Sequence, residues 1–155
     1  MKVRKILKSI LIGSLCSIMI LSNAYAMPYD TNNYTSVDES SKLLPKTINR
    51  DEAVETSVRR GDFFAQAELV ITDEGNGNIG ALAIAYFDHS VDEVYITIYL
   101  DRWDEDTEKW QQVAYYDAEF FEKDYPDGLT NPDVSITFLD NERGNYYRLR
   151  SVFSA

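Results

Sequence analysis

From residue 63 onward, apolar side chains fall on alternate positions, in short runs separated by residues that turn a chain. Period-two burial of that kind fits a half-buried strand and no helix, so it constrains the fold more than any other feature. Phe63, Ala65, Ala67, Leu69 and Ile71 alternate with more polar neighbours until Asp-Glu-Gly-Asn-Gly-Asn, residues 73–78, breaks the run. Residues 79–87 are apolar on both faces, as in a strand held between packed layers, and Asp88-His89-Ser90 turns the chain. Val94, Ile96, Ile98 and Leu100 then point one way, and Tyr95, Thr97, Tyr99 and Asp101 the other. The acidic stretch 104–109 separates this run from residues 110–120. A connection holding Pro126-Asp127-Gly128 and Asn131-Pro132 leads to Val134, Ile136 and Phe138, and residues 140–144 introduce a closing strand.

Six strands with regular turn chemistry and no long helical period predict an antiparallel β-sandwich of immunoglobulin or fibronectin III type. The closing run supports it. Tyr147, Leu149, Ser151 and Phe153 share one face, and an aromatic two residues before a core aliphatic fits a tyrosine corner. Tyr147 takes that role, with Tyr146 its rival by parity.

The first 26 residues have the layout of a secretory signal. Lys2, Arg4, Lys5 and Lys8 make a basic start, residues 9–22 an apolar stretch, and Ala24-Tyr25-Ala26 a cleavage site. The apolar stretch is shorter than the roughly 18 to 20 residues that cross a bilayer. Cys16 lacks the small residue expected before a lipidated cysteine and reads as part of the apolar stretch. Cleavage after Ala26 leaves 129 residues without cysteine, so no disulfide supports the exported chain. It also removes four basic residues and no acidic one, taking the formal charge from −11 to −15. A secreted chain so acidic repels phosphate, which argues against nucleic acid and, after signal cleavage, against anionic membranes. Residues 27–60 are polar, with Leu43-Leu44 as their only apolar cluster, and read as a flexible segment. A short helix over residues 50–58, capped by Asn49, is the one element expected there. Residues 61–155 form the domain.

The signal, the polar lead, the hairpin Tyr-Ile-Thr-Ile-Tyr-Leu-Asp-Arg-Trp at residues 95–103 with its return strand, and Gly-Asn-Tyr-Tyr-Arg-Leu-Arg at 144–150 carry a resemblance. Over residues 61–155 the chain resembles a group of small secreted proteins of Gram-positive bacteria with one all-β domain and no established activity. The resemblance implies a fold and a compartment, and no catalytic residue. It also implies a polar turn and one more strand after residue 150, so the abrupt ending reads as truncation. The other readings are a fold-back of residues 42–48 into the gap, or a strand donated by a partner or a second copy.

No catalytic constellation stands out. The single histidine, His89, sits in a turn, and the nucleophile-elbow and zinc-protease motifs are absent. A hydrolase using paired carboxylates is the alternative, but with 26 acidic residues some pair meets the spacing by chance. Asp101, Asp104 and Asp106, with Glu105 and Glu108, offer oxygen ligands for Ca²⁺, although the spacing departs from the twelve-residue calcium loop. Asp124, Asp127 and Asp133 are explained by turn formation. Arg60-Gly61-Asp62 matches a short adhesion tripeptide and is expected by chance.

A surface carries more. If Ile96, Ile98, Leu100, Leu149 and Phe153 face the core, then Tyr95, Thr97, Tyr99, Trp103, Tyr146, Arg148 and Arg150 face outward on one sheet. Flat aromatic faces beside guanidinium groups suit a sugar ring first and a protein partner second. The bland reading is that Tyr, Thr and Trp sit there because they pack well across a sheet, and that the arginines neutralise Asp101 or Asp117. The sequence thus predicts a secreted binding or surface-interaction module of unestablished ligand, with a hydrolase or a spacer without a ligand as the alternatives.

Overall fold

The computed structural model describes residues 36–56 and 64–155, the side chains of Glu55 and Thr56 excepted. The signal segment, Cys16 and Arg60-Gly61-Asp62 lie outside the described residues. Seven strands form two antiparallel sheets, packed as a sandwich. They are β1 (Arg50–Thr56), β2 (Phe64–Gly75), β3 (Asn78–Phe87), β4 (Glu93–Asp104), β5 (Lys109–Phe121), β6 (Asp133–Phe138) and β7 (Tyr147–Ser154). One sheet has the order β1-β2-β3-β6 and the other β5-β4-β7. The pairings β2-β3-β6 and β5-β4-β7 are those of strands A-B-E and C′-C-F in immunoglobulin-like sandwiches, with β1 added outside the first sheet.

The core follows the expected alternation. Ala81, Ala83 and Ala85 of β3 face Val94, Ile96 and Ile98 of β4, all buried. Small side chains on one sheet opposite branched ones on the other let the two layers interdigitate. Phe64, Leu69, Leu149 and Phe153 close the flanks, and fully buried Leu129, from the long connection, plugs the core. Tyr147 donates its hydroxyl to the carbonyl of Glu142 at 2.9 Å, five residues upstream. That bond makes it the tyrosine corner, in preference to Tyr146. Burial pushes the Tyr147 phenol above its ordinary pKa.

Two expectations change. Residues 50–56 are strand β1, not the start of a helix; they pair along β2 from Arg50↔Thr72 to Thr56↔Gln66. Bonds to a waiting strand edge override a weak local preference that had no apolar stripe behind it. In β2 a bulge at Ala65 shifts the register between Phe64 and Gln66, so Phe64 enters the core. Its ring stands edge-on to Phe87 with centroids 5.6 Å apart. Within the expected break at residues 73–78, Asn76-Gly77 is a two-residue hairpin turn with both residues at positive φ, which the β2–β3 twist favours. A Cβ on Gly77 would stand 2.3 Å from the carbonyl oxygen of Asn141, so glycine is also required there by space.

Four strands over three leave an overhang. Among the described residues no strand pairs with the outer edge of β7, and β1 is the outermost strand of the larger sheet, paired with β2 alone. No helix among them is long and apolar enough to cross a membrane.

Candidate functional site

The outer face of β5-β4-β7 carries every residue the alternation assigned to it, in cross-strand rows. Tyr95 stands opposite Ser154, Thr97 opposite Val152, Tyr99 opposite Arg150 and Asp101 opposite Arg148. Trp103 pairs with Trp110 across the hairpin, and its backbone N–H bonds the carbonyl of Tyr146. Parity was therefore read correctly.

Exposure was not. Tyr95, Tyr99, Arg148 and Arg150 are only 7–9% exposed, Thr97 1% and Asp101 0%; Trp103 and Tyr146 are half-buried. The expected solvent-facing platform is a second packed layer. At its centre Asp101 accepts N–H groups from Arg148 Nε at 2.9 Å, Arg150 Nε at 2.6 Å and Arg150 Nη2 at 2.9 Å. Arg150 Nη2 also donates to Gln112 Oε1 at 3.0 Å. Each guanidinium lies over an aromatic ring, Arg148 on Trp110 and Arg150 on Tyr99, at 4.6 and 4.7 Å from the centroids. Face-to-face stacking of this kind suits the planar, weakly hydrated guanidinium better than a compact ammonium.

Residues 36–41 cover Arg148 directly. Its Nη2 donates to the carbonyl of Val37 at 2.7 Å, and its Nη1 to the carbonyl of Glu39 and to Ser41 Oγ. Four of the five Arg148 N–H donors are thus engaged within the fold. Tyr95 Oη bonds Glu93, and its ring packs edge-on to Phe121. The aromatic and cationic groups that suggested ligand recognition are engaged in holding the layer together.

The acidic residues proposed for Ca²⁺ do not converge. Asp101 is enclosed by guanidinium groups, whereas Asp104 shapes the hairpin tip. Its carboxylate accepts Asp106 N at 3.0 Å, Thr107 Oγ1 at 2.8 Å and Gln111 Nε2 at 2.7 Å. The Thr107 hydroxyl, as the largest influence, lowers the Asp104 pKa. Asp106 is exposed on the tip. Among the described residues no three His, Cys, Asp or Glu side chains gather closely enough to hold a metal.

Open space lies at the overhang instead. A pocket of about 740 Å³ is walled on one side by residues 41–51 and on the other by residues 141–149. Leu69, Ile71 and Ile79 of the larger sheet and Leu149 of β7 give it an apolar floor. Lys46 crosses it to donate to the Gly144 carbonyl at 3.0 Å, with its ammonium over the Tyr146 ring at 5.1 Å. Lys42 and Arg143 also line it, and neither forms an ion pair among the described residues. Trp110 lines it as well, and its buried Nε1–H has no acceptor among the described residues.

Of the sequence candidates, Tyr146 and Arg148 reach this pocket. Trp103 touches it only through the edge-on Trp110 ring, 5.3 Å away. Tyr95, Tyr99 and Arg150 do not line it. Sequence reasoning missed Trp110 and Gln112 as members of the outer face. A bulge places Asp101 opposite Gln112 while Leu100 stands opposite Ala114, and Val113 is the extra residue. Without that one-residue offset both side chains would project from the opposite face.

Comparison with protein-family models, with curated proteins and with solved structures finds no match. Function is therefore argued from this geometry alone.

Proposed function

We propose that the chain is a secreted, non-catalytic binding module that takes an extended segment of a protein partner at the overhang. The incoming strand adds to the outer edge of β7, and its alternate side chains enter the pocket over Leu69, Ile71 and Leu149. Strand addition draws affinity from main-chain hydrogen bonds and selectivity from side-chain pockets. The observation that carries this reading is the coincidence of the two halves: a strand edge with no partner among the described residues, beside an apolar-floored pocket. The volume lies within the range of sites that bind ligands. A sugar platform has less support, because Tyr95 and Tyr99 are buried and Lys46 covers Tyr146. The proposed kinship with small secreted Gram-positive proteins bears on fold and compartment and adds no residue to the site.

Selection of a displayed random-peptide library against the full chain tests the reading. Enriched sequences should alternate apolar residues, and an Ile71→Asp variant that keeps its melting temperature should bind them at least tenfold more weakly. No enrichment, or binders indifferent to Ile71→Asp, overturns it. Glycan-array binding abolished by Trp103→Ala would return the ligand to the carbohydrate class.

A further inference from the structure

The chain brings its own cover to this site. Residues 36–48 form a β-turn, in which Glu39 N bonds the Ser36 carbonyl at 3.2 Å, and then run along the pocket to a second turn, Ile48 N to the Pro45 carbonyl at 3.0 Å. Beyond it Asn49 is fixed, its carbonyl accepting Asp73 N at 2.7 Å where β1 begins. Between those points the segment makes no ladder with β7. Two side chains of the β6–β7 region and one of its own hold it: Arg148 grips the first turn, Lys46 reaches Gly144, and the Tyr146 ring lies under Lys46.

The character of this hold matters. Leu43 and Ile48 are 37% and 48% exposed, and only Val37 and Leu44 of the segment are even half-buried. Little apolar surface therefore keeps the segment down, and its polar bonds compete directly with water. Beneath the Arg148 stack, the Trp110 indole N–H is desolvated without an acceptor among the described residues. Native interiors rarely leave a donor in that condition, so the covered arrangement satisfies the site incompletely. A cover that is anchored at one end, polar in its grip and poorly complementary to what lies under it is suited to lift.

We propose that residues 36–48 are a latched strap that closes the overhang pocket, with Asn49 as its pivot and Arg148 and Lys46 as its latch. In this arrangement the partner segment binds only the open form. Its apparent affinity is thus reduced by the fraction of molecules in which the strap is closed. The inference rests on the overhang being the binding site, but the strap's motion can be read without any partner.

The test uses the full chain carrying Ser41→Ala and Lys46→Ala together, two exposed positions that leave the buried Asp101–Arg148 contact intact. Trypsin cleavage after Lys42 should become at least fivefold faster than in the unaltered chain, at an unchanged melting temperature. Fluorescence of the apolar dye 1-anilinonaphthalene-8-sulfonate should rise at least threefold, and Ile71→Asp added to the pair should remove that rise. Unchanged cleavage overturns the latch. Faster cleavage with no gain in dye binding overturns the gating of the pocket by the strap. Both results stand whether or not displayed peptides bind, so failure of the peptide selection removes the proposed ligand without deciding the strap.

Discussion

At the scale of single residues, the molecule depends most on Asp101. It has no exposure, sits directly across from Arg148 and one row from Arg150, and is the only carboxylate paired with either among the described residues. Taking one partner from a buried ion cluster leaves desolvated charge, which typically costs about 3–5 kcal/mol. Asp101→Asn should therefore destabilise the chain by roughly that amount in urea unfolding, whereas Asp106→Asn on the exposed tip should cost under about 0.5 kcal/mol. Equal stability of the two variants would refute the central role. Tyr147→Phe, which removes one hydrogen bond, should cost about 1 kcal/mol. The identities in this cluster were visible in the sequence as an outward row of Asp, Tyr and Arg. Their burial was not, because alternation gives the side of a sheet and says nothing about whether another segment lies on it. The cover on Arg148 comes from main-chain carbonyls of residues 37 and 39, and a carbonyl leaves no trace in residue type.

At the scale of elements, strands β2 to β7 were legible from periodicity and turn residues, and their spans differ from the sequence reading by a few residues at most. What escaped was set by register. The extra residue Val113 cannot be seen in the hairpin sequence, since an offset of one position disturbs neither composition nor hydropathy; it becomes visible only when the two strands are paired. Deleting Val113 makes the ladder regular, with Asp101 still opposite Gln112 and Leu100 still opposite Ala114, so Trp110 and Gln112 keep the outer face and Arg148 its stacking partner. Near-ultraviolet circular dichroism of the deletion variant should accordingly match that of the unaltered chain, because the Trp103–Trp110 pair is kept. A changed tryptophan signal would show that the bulge itself, and not the register beyond it, holds Trp110 in place.

The same hairpin has its own pH dependence. The folded Asp104 pKa is lowered, first by the Thr107 hydroxyl, so its contribution is present above the ordinary aspartate value near 3.9 and is lost as pH falls through the lower folded value. Hydrogen exchange at the Asp106 amide, which donates to Asp104, should accelerate relative to the intrinsic rate below about pH 4. In Asp104→Asn that acceleration should disappear.

At the scale of the whole molecule, two features oppose one another. The outer edge of β7, unpaired among the described residues, invites any extended chain, including the β7 edge of a second copy. The formal charge of −11 makes two copies repel, and removal of the first 26 residues would raise that to −15. Repulsion between exposed charges is screened by salt, with a Debye length of about 10 Å at 0.1 M and about 3 Å at 1 M. Hydrogen bonds along a strand edge are screened far less. Sedimentation velocity of the full chain should accordingly show one slow species at low salt and a faster, concentration-dependent species near 1 M. A lysine-flanked peptide that adds to the same edge should behave in the opposite sense, binding best at low salt, because it is attracted by the field that keeps copies apart. Adding that peptide at low salt should also reduce the faster species seen on raising the salt, since peptide and second copy compete for one edge. Association that ignores both salt and peptide would place the contact elsewhere on the molecule and leave the β7 edge without a role. With the predicted ordering, charge decides which strand the edge accepts, and the backbone supplies the hold.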